Sequence, residues 1–288
     1  MNPRVRVLHA ILGRALLHER NNPEQALTVF QEGLQVDPQN LALYTGIDQA
    51  LSILQHPAEE RVAALERYPD LANMPTSLVY ELILNLTEAG EFEKAAALFH
   101  NRFFQREEGG TNVRQVWLEV QIQHALSMAQ QGQCSQAIKA ADDLAKPAPD
   151  LAFTRDGLGP FLESARVSYL IGNVYKRCEV PDKALNNFKL AAEKSSFGDA
   201  AWAWKASQQL PDIDHSSAKQ KLQSILEGVK KSGSSESPGG RWFYNAGMLD
   251  ASSGNTQQAS REFREALLSP DTLMTYHLTR LAMSGDNP

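Results

Sequence analysis

The chain has 288 residues, 42% of them hydrophobic and 22% charged, with 28 basic against 34 acidic side chains and a formal charge of −6. Eleven Phe, seven Tyr and four Trp are enough to build a sizeable core, so disordered and collagen-like classes are excluded, and a length prior suggests about two domains. The mild acidity and the lack of a dense Lys/Arg stripe interleaved with aromatics argue against nucleic acid, and no apolar run approaches the roughly 20 residues of a membrane span.

The segment 1–17 carries Arg4, Arg6 and Arg14, but its apolar stretches are too broken for a signal-peptide core, so a cytoplasmic protein is expected. A coarse pass along the chain finds helical periodicity nearly throughout. Leu12-Gly13 is followed by Ala26, Phe30, Gly33 and Pro38. Weaker versions of the same spacing follow, first Leu82, Gly90, Ala95 and Phe99, then Gly132, Ala137 and Ala141. The clearest copy is Ile171-Gly172-Asn173-Val174-Tyr175 with Ala184, Phe188 and Ala191, and another is Ala246-Gly247 with Ala259, Phe263, Ala266 and Pro270. Each residue type answers a packing distance: a small residue in the first helix admits the second, alanine sits at the helix crossing, and the aromatic fills the wedge toward the next unit.

The alanine steps from 26 to 95, 137, 184 and 259 are 69, 42, 47 and 75 residues. Two of them are close to double a period of about 34, which predicts a degenerate helix pair in each gap, near 40–67 and 198–230, with Pro57 opening a second helix and Pro211 separating two. These spacings resemble the tetratricopeptide (TPR) repeat superfamily over about residues 7–283. The resemblance implies an all-α, right-handed superhelical solenoid with units at about 7–39, 40–70, 76–101, 113–145, 161–194, 198–230 and 240–270 and a capping helix at 271–284. One elongated array thereby replaces two compact domains.

Loops interrupt the array at 102–112, 146–160 and 231–240, the last rich in Ser, Gly and Pro and expected to be mobile. The Asn101-Arg102-Phe103-Phe104 and Glu107-Glu108-Gly109-Gly110 stretch with Val113-Arg114, together with Asp156-Gly157-Leu158-Gly159, also resembles the C-terminal repeat tail of large, poorly characterised bacterial proteins. In those a β-rich domain of sugar-associated appearance precedes the repeats. This resemblance implies an accessory tail that docks within a larger polypeptide or self-associates.

Little in the chain points to catalysis. The seven histidines show no metal-ligand spacing, no phosphate loop or nucleophile elbow is present, and Glu107-Glu108 reads as a solvated turn. No catalytic residue, metal or cofactor is expected. Cys134 and Cys178, 44 residues apart, read most simply as buried or half-exposed free thiols, with a single redox or disulfide role as the alternative. A peptide or protein partner is the expectation. Positions that face the inner surface of such an array are Tyr80, Ile122, Tyr169 and Tyr244, with Arg166 and Arg241 three residues before two of the tyrosines and Asn173 four after Tyr169. Tyr, Asn and Arg suit a peptide groove; tyrosine at helical spacing also suits plain packing. The lysine-and-asparagine clamp for a terminal carboxylate is missing apart from Asn173. Phe103 and Phe104 either fold back together or leave one ring as an exposed loop anchor, and Trp202 and Trp204, two apart, are expected on different sides of a helix.

Overall fold

The computed structural model describes residues 3–105, 107–108, 110–155, 157–211, 214–232, 239–269 and 271–285. Seven helical hairpins follow one another among these residues. The first pairs α1 (Pro3–Arg14), continued by a π-helical turn at Ala15–Glu19, with α2 (Pro23–Val36). Next come α3 (Leu41–Ile53) with α4 (Ala58–Leu65), α5 (Thr76–Glu88) with α6 (Phe92–Ala97), and α7 (Val113–Gln130) with α8 (Cys134–Asp143). After a short α9 (Gly159–Leu162), α10 (Ala165–Arg177) pairs with α11 (Pro181–Ala192), α12 (Ala200–Ser207) with α13 (His215–Ser232), and α14 (Gly240–Ser252) with α15 (Thr256–Leu268); α16 (Leu273–Ser284) ends the row.

The hairpin turns repeat one device. Asn21, Gln55, Gly90, Gly132, Glu179 and Gly254 take a positive φ just after a first helix. The amide one residue later then donates to the carbonyl five residues back at His56, Glu91, Gln133, Val180 and Asn255, and six back, to Leu16, at Asn22 after the π-helical turn. This closes the helix end by satisfying carbonyls that would otherwise be orphaned. Side-chain caps at Asn22, Asn40, Asn112, Ser164 and Thr272 open the helices that follow.

Glycine decides how closely the helices of a hairpin approach. A Cβ on Gly13 would lie 2.2 Å from the Phe30 ring, one on Gly172 2.6 Å from Phe188, and one on Gly247 2.6 Å from Phe263. In these three units the aromatic therefore rests on the glycine of its own first helix, and Phe30 also meets Gly46 of the next unit. Burying such a ring contributes roughly 1.5–3 kcal/mol. Gly172→Ala, which has no slack against Phe188, is expected to cost about 1–3 kcal/mol by overpacking, read from the denaturation midpoint.

The first helices α3, α5, α7, α10, α12, α14 and α16 form a row in which each touches the next. The row comes round on itself, for α16 packs against α5 and α15 against α3, and His18 donates from Nδ1 to the carbonyl of Leu268 at 2.6 Å. The array is thus a nearly closed turn with α16 lodged on its inner side.

Several expectations change here. Cys134 and Cys178 are joined in a disulfide with Cα atoms 5.2 Å apart, because the hairpin turn after α7 and the end of α10 lie side by side in adjacent units. Trp202 and Trp204 are both buried: α12 is flanked by α11, α13 and α14, which leaves no free side, and the Trp204 indole donates to the Ser252 carbonyl. The loop 102–112 contains a two-stranded ribbon, Glu107–Glu108 against Thr111–Asn112, in an otherwise helical chain. Phe104 is buried against Tyr80, Phe99 and Phe153, whereas Phe103 is 85% exposed. Gly109, Asp156, Pro270 and the stretch 233–238 of the Ser/Gly/Pro-rich loop lie outside the described residues.

Candidate functional site: the inner face and its buried charges

The inner face is polar where a packed core would be apolar. Glu81 and Glu88 on α5 and Glu119 on α7 point inward, with Asp48 on α3, Arg61 on α4, Arg166 on α10, and His277 and Arg280 on α16. Glu88 receives Arg61 on one oxygen, His277 Nδ1 on the other at 2.7 Å, and Arg280 Nε at 2.9 and 3.2 Å. Glu119 takes both terminal nitrogens of Arg166 at 2.6 and 2.8 Å, together with His277 Nε2 at 3.2 Å. Asp48 accepts from Asn85 Nδ2 at 2.7 Å, and Arg61 also donates to Ser52.

The surroundings decide the charge states. Burial pushes Glu88 and Glu119 upward, but Arg280 and Arg61 around the first, and Arg166 and His277 around the second, outweigh it and hold both well below the usual carboxylate range. Among the described residues Glu81 has no ion pair, and the pull of Arg280 is the smallest influence on it. Burial and the neighbouring Asp48 push it up to about 8 against a hydrogen bond from Thr45, so it is largely neutral at pH 7.

The six residues picked out for the inner face separate into two groups. Arg166, Arg241 and Tyr244 converge on a cavity of about 470 Å3 between α7, α10, α12, α14 and α16. Trp202, Asp199 and Asn245 also line it, and α16 contributes Met274, Thr275 and Leu278. Arg166 lies 5.7 Å over the Trp202 ring, and the Arg241 side chain is exposed at the rim. Tyr80, Tyr169 and Asn173 do not line this cavity. Tyr80 is fully buried and stacks on Phe104 at 5.5 Å. Tyr169 packs between Phe188 and Trp202, with the Lys205 ammonium 5.9 Å from its ring. Asn173 is buried, and its amide nitrogen has no hydrogen-bond partner.

Asp48, Glu88, Glu119, His277 and Arg280 occupy no position of the repeat spacing. A signal was nevertheless present, since Glu81 and Glu119 each interrupt an apolar run, Val79-Tyr80-Glu81-Leu82 and Trp117-Leu118-Glu119-Val120. A carboxyl inside such a run is buried either paired, as Glu119 is with Arg166, or largely neutral, as Glu81 is.

Among the described residues no group of three or more His, Cys, Asp or Glu could hold a metal ion, and no helix is long and apolar enough to cross a membrane. The hairpins, the glycine-on-aromatic crossings and the row of first helices define an all-α solenoid of the tetratricopeptide type. No family model and no curated protein matches the sequence. Two of the solved structures similar to the chain are tetratricopeptide repeat proteins. One is a tetratricopeptide repeat protein from Parabacteroides merdae, at 13% identity and a TM-score of 0.46, covering 97% of this chain and 99% of that one. The other is the C-terminal part of a TPR repeat-containing protein from Cytophaga hutchinsonii, at 15% identity and a TM-score of 0.43, covering 91% and 96%.

Proposed function

We propose that the chain is a non-catalytic interaction scaffold that holds a peptide or protein segment at the inner face of the solenoid, with the cavity beside α12 and α14 as its anchor point. The observation that carries this reading is the convergence of Arg166, Arg241 and Tyr244 on one open cavity. Arg166 is bound to Glu119, which leaves Arg241 as the rim guanidinium able to take a carboxylate or carbonyl of an entering segment. Tyr244 and Trp202 supply rigid walls, and Asn245 adds a polar edge.

The test uses partners captured from the source organism and identified by mass spectrometry. Arg241→Ala is expected to weaken capture of the cognate partner at least about tenfold, the cost typical of an interface hot spot, while thermal unfolding stays nearly unchanged because the side chain is exposed. Unaltered capture with Arg241→Ala and Asn245→Ala together would remove the cavity from the reading. Loss of stability instead would make these residues packing elements.

A second reading is self-association or intramolecular docking as an accessory tail, and a separate observation favours it. Val7, Leu8, Ile11 and Leu12 on α1 are 52–59% exposed and at helical spacing form one apolar stripe at the start of the array. Light scattering decides it. A dimer that Leu8→Glu with Ile11→Glu converts to monomer supports the second reading, and a monomer at all concentrations discards self-association.

A further inference from the structure

The inner face of a solenoid is where a bound segment would lie, yet here much of it is covered by the chain's own last helix. The buried side of α16 is unusually polar: Thr275, His277 and Thr279 are buried with Met274, Tyr276 and Leu281, and Arg280 reaches across to Glu88. His277 is the centre of the contact. It is completely buried, and its two ring nitrogens face carboxylates from different helices, Glu88 of α5 at 2.7 Å and Glu119 of α7 at 3.2 Å. A neutral imidazole carries one N–H and would turn a lone pair toward the other carboxylate. Only the imidazolium donates to both. The same helix also places Met274, Thr275 and Leu278 in the wall of the cavity, so any movement of α16 alters that cavity.

We propose that α16 is a latch that occupies the inner face as an intramolecular ligand, held across the ring by the doubly charged grip of His277 and Arg280 on Glu88 and Glu119, and that its release opens the groove to a segment longer than the cavity admits. The purpose of the latch rests on the cavity reading above; its existence rests on the α16 geometry alone.

The groups that face His277 set the direction of its response. They are Glu88 and Glu81 on α5, Glu119 on α7, Asp48 on α3, Arg61 on α4, Arg166 on α10 and Arg280 on α16 itself. Burial disfavours the imidazolium, but the hydrogen bonds to Glu119 and Glu88 outweigh it and raise the His277 pKa above its ordinary value. A raised histidine contributes its stabilisation fully below the unfolded value of about 6.5 and loses it as the pH rises through the folded value. Glu81, pushed up to about 8, ionises over the same range, but its hydrogen bond is from Thr45 of α3 and not from α16, so it contributes no bond to the latch. The latch is therefore tightest below the unfolded value of about 6.5 and weakens as the pH rises through the raised folded value of His277.

Hydrogen exchange of the intact chain, corrected for the intrinsic pH dependence of amide exchange, tests this without any ligand. Protection of 273–284 is expected to fall at least about tenfold more than that of 165–177 as the pH is raised from about 6, below the ordinary histidine value, to about 9. His277→Gln, which can bridge only as a neutral amide, should show the lowered protection already at neutral pH and no further alkaline loss; Glu81→Gln should keep the wild-type alkaline loss. Equal loss of protection in α5, α10 and α16 would make the helix part of the core and overturn the latch, as would an alkaline response that survives in His277→Gln or vanishes in Glu81→Gln. If His277→Gln does not fold, the wild-type comparison between segments still decides. Failure of these measurements leaves the Arg241 capture experiment standing, and failure of that experiment leaves the latch standing.

Discussion

Glu88→Ala is expected to destabilise the protein by about 3–5 kcal/mol, the cost of removing one partner from a buried ion cluster. The reason is numerical as well as geometric. One carboxylate, its side chain 9% exposed, accepts from Arg61, His277 and Arg280, which come from two different helices. Without it Arg61, at 3% exposure, keeps only Ser52 and the more distant Asp48 at 3.8 Å, and Arg280 loses its direct partner. Like charges then face one another in a poorly solvated site. Arg280→Met alone leaves Glu88 with two cations and should cost less. The double variant Glu88→Ala/Arg280→Met should be milder than the sum of the two singles by at least about 1 kcal/mol, because removing both ends of a pair spares an uncompensated charge. Urea denaturation followed by circular dichroism measures all three, and strict additivity would show that the groups do not act as a unit.

The second large effect concerns Cys134 and Cys178. Reducing their disulfide, or replacing both residues by serine, is expected to lower the unfolding free energy by about 3–4 kcal/mol on the chain-entropy account for a closed loop of this size. The bond ties the turn after α7 to the end of α10, so it crosses the junction between two neighbouring units. In an array stabilised by nearest-neighbour contacts, loosening one junction weakens the segments on either side first. Proteolysis under reducing conditions should accordingly cut between α7 and α11 before it cuts elsewhere. Thiol titration of the native protein without reductant should find no reactive cysteine. Two titratable thiols in that sample would contradict the bond.

The solenoid was legible because its crossings demand particular residue sizes. Gly13, Gly172 and Gly247 meet Phe30, Phe188 and Phe263, and no larger residue fits where each ring rests. Such constraints are local: two helices joined by a short turn find each other whatever the rest of the chain does. The candidate site was legible only in part. Arg166, Arg241 and Tyr244 were found by counting from the crossing alanines, and they line one cavity. The same count selected Tyr80, whose ring is taken by Phe104 from the 102–112 loop, a segment to which the repeat pattern assigns no place. Of the two rings in that loop, Phe104 packs inward and Phe103 stays exposed, as extended backbone requires of neighbours.

What the sequence by itself determined is the repeating unit, since period, glycine, alanine and aromatic positions express contacts between helices a few residues apart in the chain. What the tertiary structure alone decided is closure. Whether His277 meets Glu88 and Glu119, 189 and 158 residues away, depends on the small rotation added at every unit. Those rotations accumulate over the array, so they bring α16 back onto α5 without leaving a periodic mark in the sequence.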